Sequence, residues 1–266
     1  MDVLHHLHSR IPPGLLAMAQ QEVLGLMLEQ RHEEVNESVE RLPGAERVKI
    51  KIAHGNPAFE LIREAVNGGH DLIVKAARGR DVRHNTSFGT TALHLVRKSP
   101  VPVLVLSPDK RLLERPKVLC AVEPVVDDDD DPYQLNVDLL AAARLLAEIY
   151  GAQLHVVHVM DVQKLNVYRG LLPEAAFDDL VRGWDRDLKK SLDQLLATEF
   201  EGLLPALHTH LLAGDPADVI VDMVATERVS HLVMGSVGDR EPGHLVGRLT
   251  EEVLSRIDCS LLTMKP

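Results

Sequence analysis

Residues 234–250 read MGSVGDREPGHLVGRLT. Gly235, Gly238 and Gly247 lie between an apolar run, HLVM, and a helical pattern, EEVLSRI, and Thr250 adds a hydroxyl. Glycines at such a junction let the backbone come close to phosphate oxygens. Their amides, together with the N-terminus of the next helix, form an anion site. The amides around Val237, Gly238, Gly247 and Arg248 are therefore expected to point at one spot, with Met234, Gly235 and Leu249 flanking it. The same residues also suit a plain turn from strand to helix. Arg248 itself has two readings. Its guanidinium could pair with phosphates, or its bulk could fill the space they need.

Other residue types that could do chemistry are less well placed. Asp127 to Asp131 are five consecutive carboxylates behind Glu123. They would repel a polyphosphate unless a divalent cation intervenes, and as a hydrophilic run they read first as a solvated loop. His5, His6 and His8 have no further ligand at metal-site spacing. His208 and His210 alternate along a strand, so they share one face, which is expected to be solvated. Ser236 lacks the first glycine of a nucleophile elbow, because Met234 holds that position. No Ser/His/Asp or Cys/His arrangement is assignable. No catalytic residue and no metal ligand is expected, and the chain does not read as a dedicated enzyme, slow ATP hydrolysis aside.

The elements that would position these groups come as a repeat. HGNPAFELIREAV (54–66) matches AGDPADVIVDMVA (213–225), and DLIVKAARG (71–79) matches SHLVMGSVG (230–238), both at an offset of 159. PVLVL (102–106) matches SLLTM (260–264) at 158. The second copy reads as strand VLCAV, helix 136–151, strand QLHVVHV, a long amphipathic helix and strand ALHTHLL. Then come helix ADVIVDMVATE, strand HLVM, helix EEVLSRI and strand SLLTM. Phe177, Leu180, Val181, Trp184, Leu188, Leu192 and Leu195 keep three-and-four spacing in the long helix. Asp215 and Pro216 form a helix start. Strand–helix alternation implies an α/β fold with a parallel sheet covered on both faces.

Composition sets limits on function. The chain has 266 residues, 45% hydrophobic and 26% charged, in the range of a soluble globular protein. The net charge of −11 is concentrated after residue 110, where 15 Lys and Arg face 27 Asp and Glu. Such an acidic half does not favour nucleic acid or anionic lipid. No run approaches the roughly 18 apolar residues of a membrane span. The two cysteines, Cys120 and Cys259, make no disulfide framework, and a cytoplasmic location is expected.

The first copy of the repeat is shorter. In the second, 97 residues separate Lys117 from Gly214, whereas only 54 precede the equivalent Gly55. The first domain is therefore expected to be N-terminally truncated, without its first β-α-β. Two domains are expected, 1–112 and 113–266. A domain short of two strands would expose a pairing edge and part of its core.

NPAFELIREAVNGGHDLIVK (56–75), HLVRKSPVPVLVLSPD (94–109) and MGSVG…GRLTEEVL…CSLLTMKP together resemble tandem-domain universal stress proteins of the E type. The resemblance covers nearly the whole chain. It implies two Rossmann-like domains with strand order 3-2-1-4-5 and a role in stress response. It also implies an adenine-nucleotide site in the second domain, for ATP with or without Mg2+, at the carboxyl ends of the strands. Glu123 and Val159 would line the adenosine side, and Thr250 would supply a family hydroxyl. Departures from the pattern are the eight residues between Gly238 and Gly247 where the family has nine, Arg248 in place of a hydroxyl residue, and Glu123 in place of Asp. The first domain departs further, with Ala76 at the first glycine, Lys75 at the strand end and only Gly79 and Gly89-Thr90 retained, so no nucleotide is expected there. Family pairing through the fifth strands implies an internal pseudo-dimer, with Val103–Leu106 antiparallel to Leu261–Thr263; a homodimer is a further option. Partners would be the nucleotide or another small ligand and other proteins. A different reading keeps the pseudo-dimer as a scaffold that binds no nucleotide.

Overall fold

The computed structural model describes residues 13–77, 88–107, 115–124, 133–200, 207–236 and 248–266. The chain divides into two compact units, Met1–Asn56 and Pro57–Pro266. The first unit contains helix α1 (Pro13–Glu40) and a single 3-10 turn, Ala45–Arg47. At the repeat offset α1 corresponds to the long helix of the second copy.

The second unit is built on one sheet of seven strands. In chain order its elements are α2 (Pro57–Gly68), β1 (Ile73–Ala76), α3 (Thr90–Lys98), β2 (Val103–Leu106), β3 (Lys117–Ala121) and α4 (Tyr133–Tyr150). They continue with β4 (Gln153–Asp161), α5 (Val162–Arg169), α6 (Glu174–Phe200), β5 (Leu207–Gly214), α7 (Pro216–Thr226), β6 (His231–Gly235), α8 (Arg248–Arg256) and β7 (Ser260–Met264). The spatial order is β1-β2-β7-β6-β3-β4-β5. Strands β3 to β7 thus follow the order 3-2-1-4-5, all parallel. Every expected strand and helix of the second copy is present. Helix α5 is an addition that the apolar pattern did not announce; Asp161 caps it by accepting from the Gln163 amide at 2.8 Å.

The one antiparallel pairing among the described residues joins the two copies of the repeat. Val103 opposes Thr263, Leu104 opposes Leu262 and Val105 opposes Leu261, as the family resemblance implied. Side-chain contacts reinforce the seam. The Ser107 hydroxyl donates to the Asp258 carbonyl at 2.6 Å, Lys265 Nζ donates to the Arg97 carbonyl at 2.8 Å, and Arg97 pairs with Glu251 at 3.0 Å. Because the sheet is continuous, residues 57–107 belong to the same compact unit as the second copy. The boundary expected at 112/113 lies outside the described residues.

Two apolar layers cover the sheet. Ile73, Val103, Val105, Leu119, Val157, Leu232 and Leu261 form one layer with helices α2, α3, α7 and α8. Val118, Cys120, Leu154, Val156, Val233 and Leu262 form the other with α4 and α6. Of the expected stripe on α6, Phe177, Leu188, Leu192 and Leu195 are buried. Cys120 and Cys259 are both buried and form no disulfide. Cys120 lies on β3 and Cys259 immediately precedes β7, with β6 between these two strands, beyond disulfide reach.

Among the described residues the sheet is open at β1, which pairs only with β2. The Ile73 and Ala77 amides donate to Pro102 and Leu106 of that neighbour. By strand alternation the amides of Val74 and Ala76 face the free edge. Val74 is 55% exposed, although its repeat partner Val233 is fully buried between β3 and β7. Amide exchange should therefore be at least ~100-fold faster at Val74 and Ala76 than at Val233. Equal protection measured by NMR or mass spectrometry would mean the edge is covered.

Candidate functional site

The carboxyl ends of β3, β4, β5 and β6 meet at one edge of the sheet, where open α/β sheets hold ligands. Glu123 follows β3 by two residues and is exposed. Asn136 on α4 holds its backbone. The Glu123 amide donates to Asn136 Oδ1 at 3.0 Å, and Asn136 Nδ2 donates to the Glu123 carbonyl at 2.7 Å. Asn136 is only 3% exposed. Both of its polar atoms are spent fixing the chain as it leaves the strand.

Val159 is half-buried on β4 and packs against the first apolar layer. One residue earlier, His158 Nδ1 bonds the Val122 carbonyl at 3.0 Å. Val122 in turn donates its amide to the Val157 carbonyl at 3.0 Å, extending the β3–β4 ladder. Burial holds the His158 pKa below its ordinary range; the Val122 carbonyl and the nearby Glu123 carboxylate work against that. At the end of β5, Asp215 caps α7 through the Ala217 and Asp218 amides, as Asp-Pro at a helix start requires.

Met234 and Gly235 close β6. Met234 is buried, and a Cβ on Gly235 would stand 3.2 Å from Leu135 Cδ2, so a side chain there would press on α4. The Ser236 amide and hydroxyl both donate to the Met264 carbonyl, at 2.8 and 3.1 Å. Ser236 is a buried tie between the ends of β6 and β7. Thr250 is 1% exposed, and its hydroxyl donates to the Gly235 carbonyl at 3.1 Å, clamping the first turn of α8 to the end of β6. Leu249 packs beside the core.

Met234, Gly235, Leu249 and Thr250 thus lie at the end of β6 and the start of α8, Glu123 follows β3, and Val159 stands two residues before the end of β4. Arg248 opens α8. Val237, Gly238, Gly247 and the aspartate run Asp127–Asp131 lie outside the described residues, as do His5, His6, His8 and Gly79. In the first copy, the Gly89 amide donates to the Ala77 carbonyl at 2.8 Å. That amide is committed to the protein's own backbone. Lys75 Nζ donates to the Ala76 carbonyl at 2.7 Å.

The histidine pair is more integrated than a solvated face would be. His208 is exposed, but His210 is half-buried, and its Nε2 lies 3.0 Å from Nδ1 of the buried His155. Among the described residues no group of three or more His, Cys, Asp or Glu side chains is arranged to hold a metal.

Asn136 and His158 are the contributors the sequence reading missed. A signal for Asn136 existed. It occupies the stripe continued by Leu139, Leu140, Ala143 and Leu146, and a lone amide on an apolar stripe needs a defined partner. Asn136→Ala should orphan both backbone groups of Glu123 and cost about 2 kcal/mol. Urea unfolding checks this, and a loss below about 0.5 kcal/mol would show that water replaces the clamp.

Comparison with known proteins agrees with the fold and the repeat. The Universal stress protein family model matches residues 1–107 and again 123–265. Universal stress protein E of Escherichia coli (strain K12) is 31% identical over 227 residues, which cover 82% of this chain and 68% of that protein. The Universal stress protein E homolog of Haemophilus influenzae is 26% identical over 218 residues, covering 80% and 68%. Among solved structures, a putative universal stress protein from Pseudomonas aeruginosa UCBPP-PA14 aligns with a TM-score of 0.63 at 18% identity, over 91% of this chain and 78% of that one. A universal stress protein from Archaeoglobus fulgidus DSM 4304 aligns with a TM-score of 0.59 at 19% identity, over 92% and 81%. With two matches to one family model, a 3-2-1-4-5 sheet and an antiparallel seam between the copies, the chain belongs to the universal stress protein family, as a tandem member.

Proposed function

We propose that this chain is a cytoplasmic stress-response protein whose second domain binds an adenine nucleotide, ATP with or without Mg2+. The bound ligand would bias a regulatory state read by partner proteins, without dedicated catalysis. The placement of Glu123, Val159, Met234, Gly235 and Thr250 along the carboxyl edge, next to the glycine segment 235–247, carries this reading. Backbone amides there would hold the phosphates over the start of α8. No helix among the described residues is long and apolar enough to cross a membrane.

Arg248 decides between this reading and a nucleotide-free scaffold. As a phosphate ligand it would offset the loop that is one residue short. As a plug it would close the site. Calorimetry with millimolar ATP and magnesium separates the two. The parent should bind, Arg248→Ser should weaken binding about tenfold or more, and Gly238→Val should abolish it while the fold persists. Binding that appears only in Arg248→Ser would sink the nucleotide reading and leave the scaffold.

A further inference from the structure

We propose that His155, His208 and His210 bind one divalent transition-metal ion of the zinc class. The site lies near the amino ends of β4 and β5, away from the carboxyl edge, and does not depend on the nucleotide reading.

Three observations carry it. The first is placement. In the parallel β4–β5 ladder His155 lies directly opposite His208, and Val157 lies opposite His210. Side chains alternate along a strand, so the three imidazoles share one face with Val157 and Leu212, the face that α7 covers. The ring centres of His208 and His210 lie 4.7 and 5.2 Å from that of His155. Three neutral imidazoles are a donor set that zinc accepts, and copper and nickel share the preference for imidazole nitrogen.

The second observation is spacing. His155 Nδ1 and His210 Nε2 are 3.0 Å apart. Two nitrogens bound to one tetrahedral zinc ion stand about 3.3 Å apart. The three rings do not yet surround one point, because two of them are hydrogen-bonded to each other. Binding exchanges that hydrogen bond for two coordinate bonds. A tilt of both rings aims their lone pairs at the ion, and the proton they share moves to the far nitrogen of its own ring. Both rings stay neutral, and no proton is released. His208 is exposed, so its ring can turn to supply the third nitrogen. Water fills the fourth position, or Glu227 does. The Glu227 carboxylate acts electrostatically on both His155 and His210 while it pairs with Lys117 at 2.6 Å.

The third observation is an unspent nitrogen. His155 is 6% exposed, and its Nε2 is buried without a hydrogen-bond partner among the described residues. Whichever ring nitrogen holds the proton, the side chain enters the core with one polar atom unsatisfied, at a cost in stability. An apolar side chain would pack there without that cost. Coordination through Nδ1 is what an imidazole offers and an apolar side chain does not. The ion would also have a mechanical effect. β5 is the outermost strand of the described sheet, with β4 as its neighbour, and an ion held by His155, His208 and His210 clips that edge to the sheet.

The test titrates zinc chloride into the whole chain by calorimetry. One ion should bind at this site with a Kd of about 10 μM or tighter. X-ray absorption of the bound zinc should show nitrogen neighbours at about 2.0–2.1 Å. His208→Ala and His210→Ala should each weaken binding at least about tenfold, with an unchanged circular dichroism spectrum. His208 is exposed, so its variant decides the matter if His210→Ala fails to fold. His5, His6 and His8 are the competing ligands, and replacing all three with Ala should leave the affinity of this site within about twofold. Absence of binding at about 0.1 mM zinc would overturn the proposal. So would an undiminished affinity in His208→Ala, or a loss of all binding when His5, His6 and His8 are replaced.

Discussion

Leu261→Asp should leave no folded second unit at neutral pH. Leu261 is fully buried at the middle of the sheet, opposite Val105 across the antiparallel seam and beside Leu232 in the parallel ladder. Removing the leucine forfeits about 2 kcal/mol of transfer energy. The new carboxyl group costs more. Among the described residues no Lys or Arg is buried, and the layer here is lined by Val103, Val105, Leu119 and Leu232, so the group must be protonated or buried uncompensated. The total loss should exceed about 5 kcal/mol, comparable with the whole stability of a typical domain. Circular dichroism and size-exclusion chromatography should show an unfolded or aggregated product. The contrast is Leu261→Val, which deletes one methylene and should cost about 1 kcal/mol. A folded, monodisperse Leu261→Asp protein would mean that the seam is dispensable and that β7 can turn away from β2.

Acidification should be the second large effect. Burial pushes both His155 and His231 down to about 4, from an ordinary value near 6.5. His208, His210 and Lys117 add to the shift at His155, and Glu227 opposes it weakly. At His231 the neutral tautomer can be derived. The Ser230 hydroxyl gives its proton to the Lys117 carbonyl at 2.8 Å, so it accepts from His231 Nδ1 at 3.1 Å. Nε2 is then a lone pair, buried without a hydrogen-bond partner among the described residues, and Tyr150 stacks on the ring at 4.4 Å. A proton added at Nε2 would find no acceptor among the described residues.

Both folded pKa values lie below the unfolded value, so the unfolded chain binds more protons at moderately acid pH. The stabilisation is complete above about 6.5 and is lost as pH falls toward 4. At one pKa unit per 1.4 kcal/mol, each histidine should withdraw about 2 kcal/mol by pH 5. Urea unfolding at pH 7.5 and pH 5.0 should therefore differ by about 3–4 kcal/mol. His231→Phe preserves the stacked ring and removes one proton site, so it should cut that difference by nearly half. A pH-independent midpoint, or an undiminished slope in the variant, would show that these rings are accessible to water in the native state.

Much of this protein was fixed by its sequence. The repeat at offset 159 and the alternation of apolar strands with amphipathic helices determined a parallel α/β sheet, because period two and period 3.6 cannot be satisfied by one conformation. Asp215-Pro216 determined the start of α7, since an acceptor side chain and a residue without an amide proton suit only a helix N-terminus. The meeting of the two copies through VLVL and SLLTM was legible only through the family resemblance, whose fifth-strand pairing implied it; the two apolar runs alone are compatible with that seam without selecting it. The site was legible only in outline, as a set of strand ends and a glycine segment.

The tertiary structure decided what individual polar side chains do, because hydrogen-bond partners distant in sequence leave no local period. Thr250, expected beside phosphate as a family hydroxyl, ties α8 to the Gly235 carbonyl fifteen residues away. Asn136 looked like one more helical position until it was found holding Glu123, and His210, read as solvated, leans on a buried His155 across the β4–β5 ladder. Apolar burial is additive along an element and can be read from spacing. Polar satisfaction depends on which atoms the completed fold brings within about 3 Å of each other.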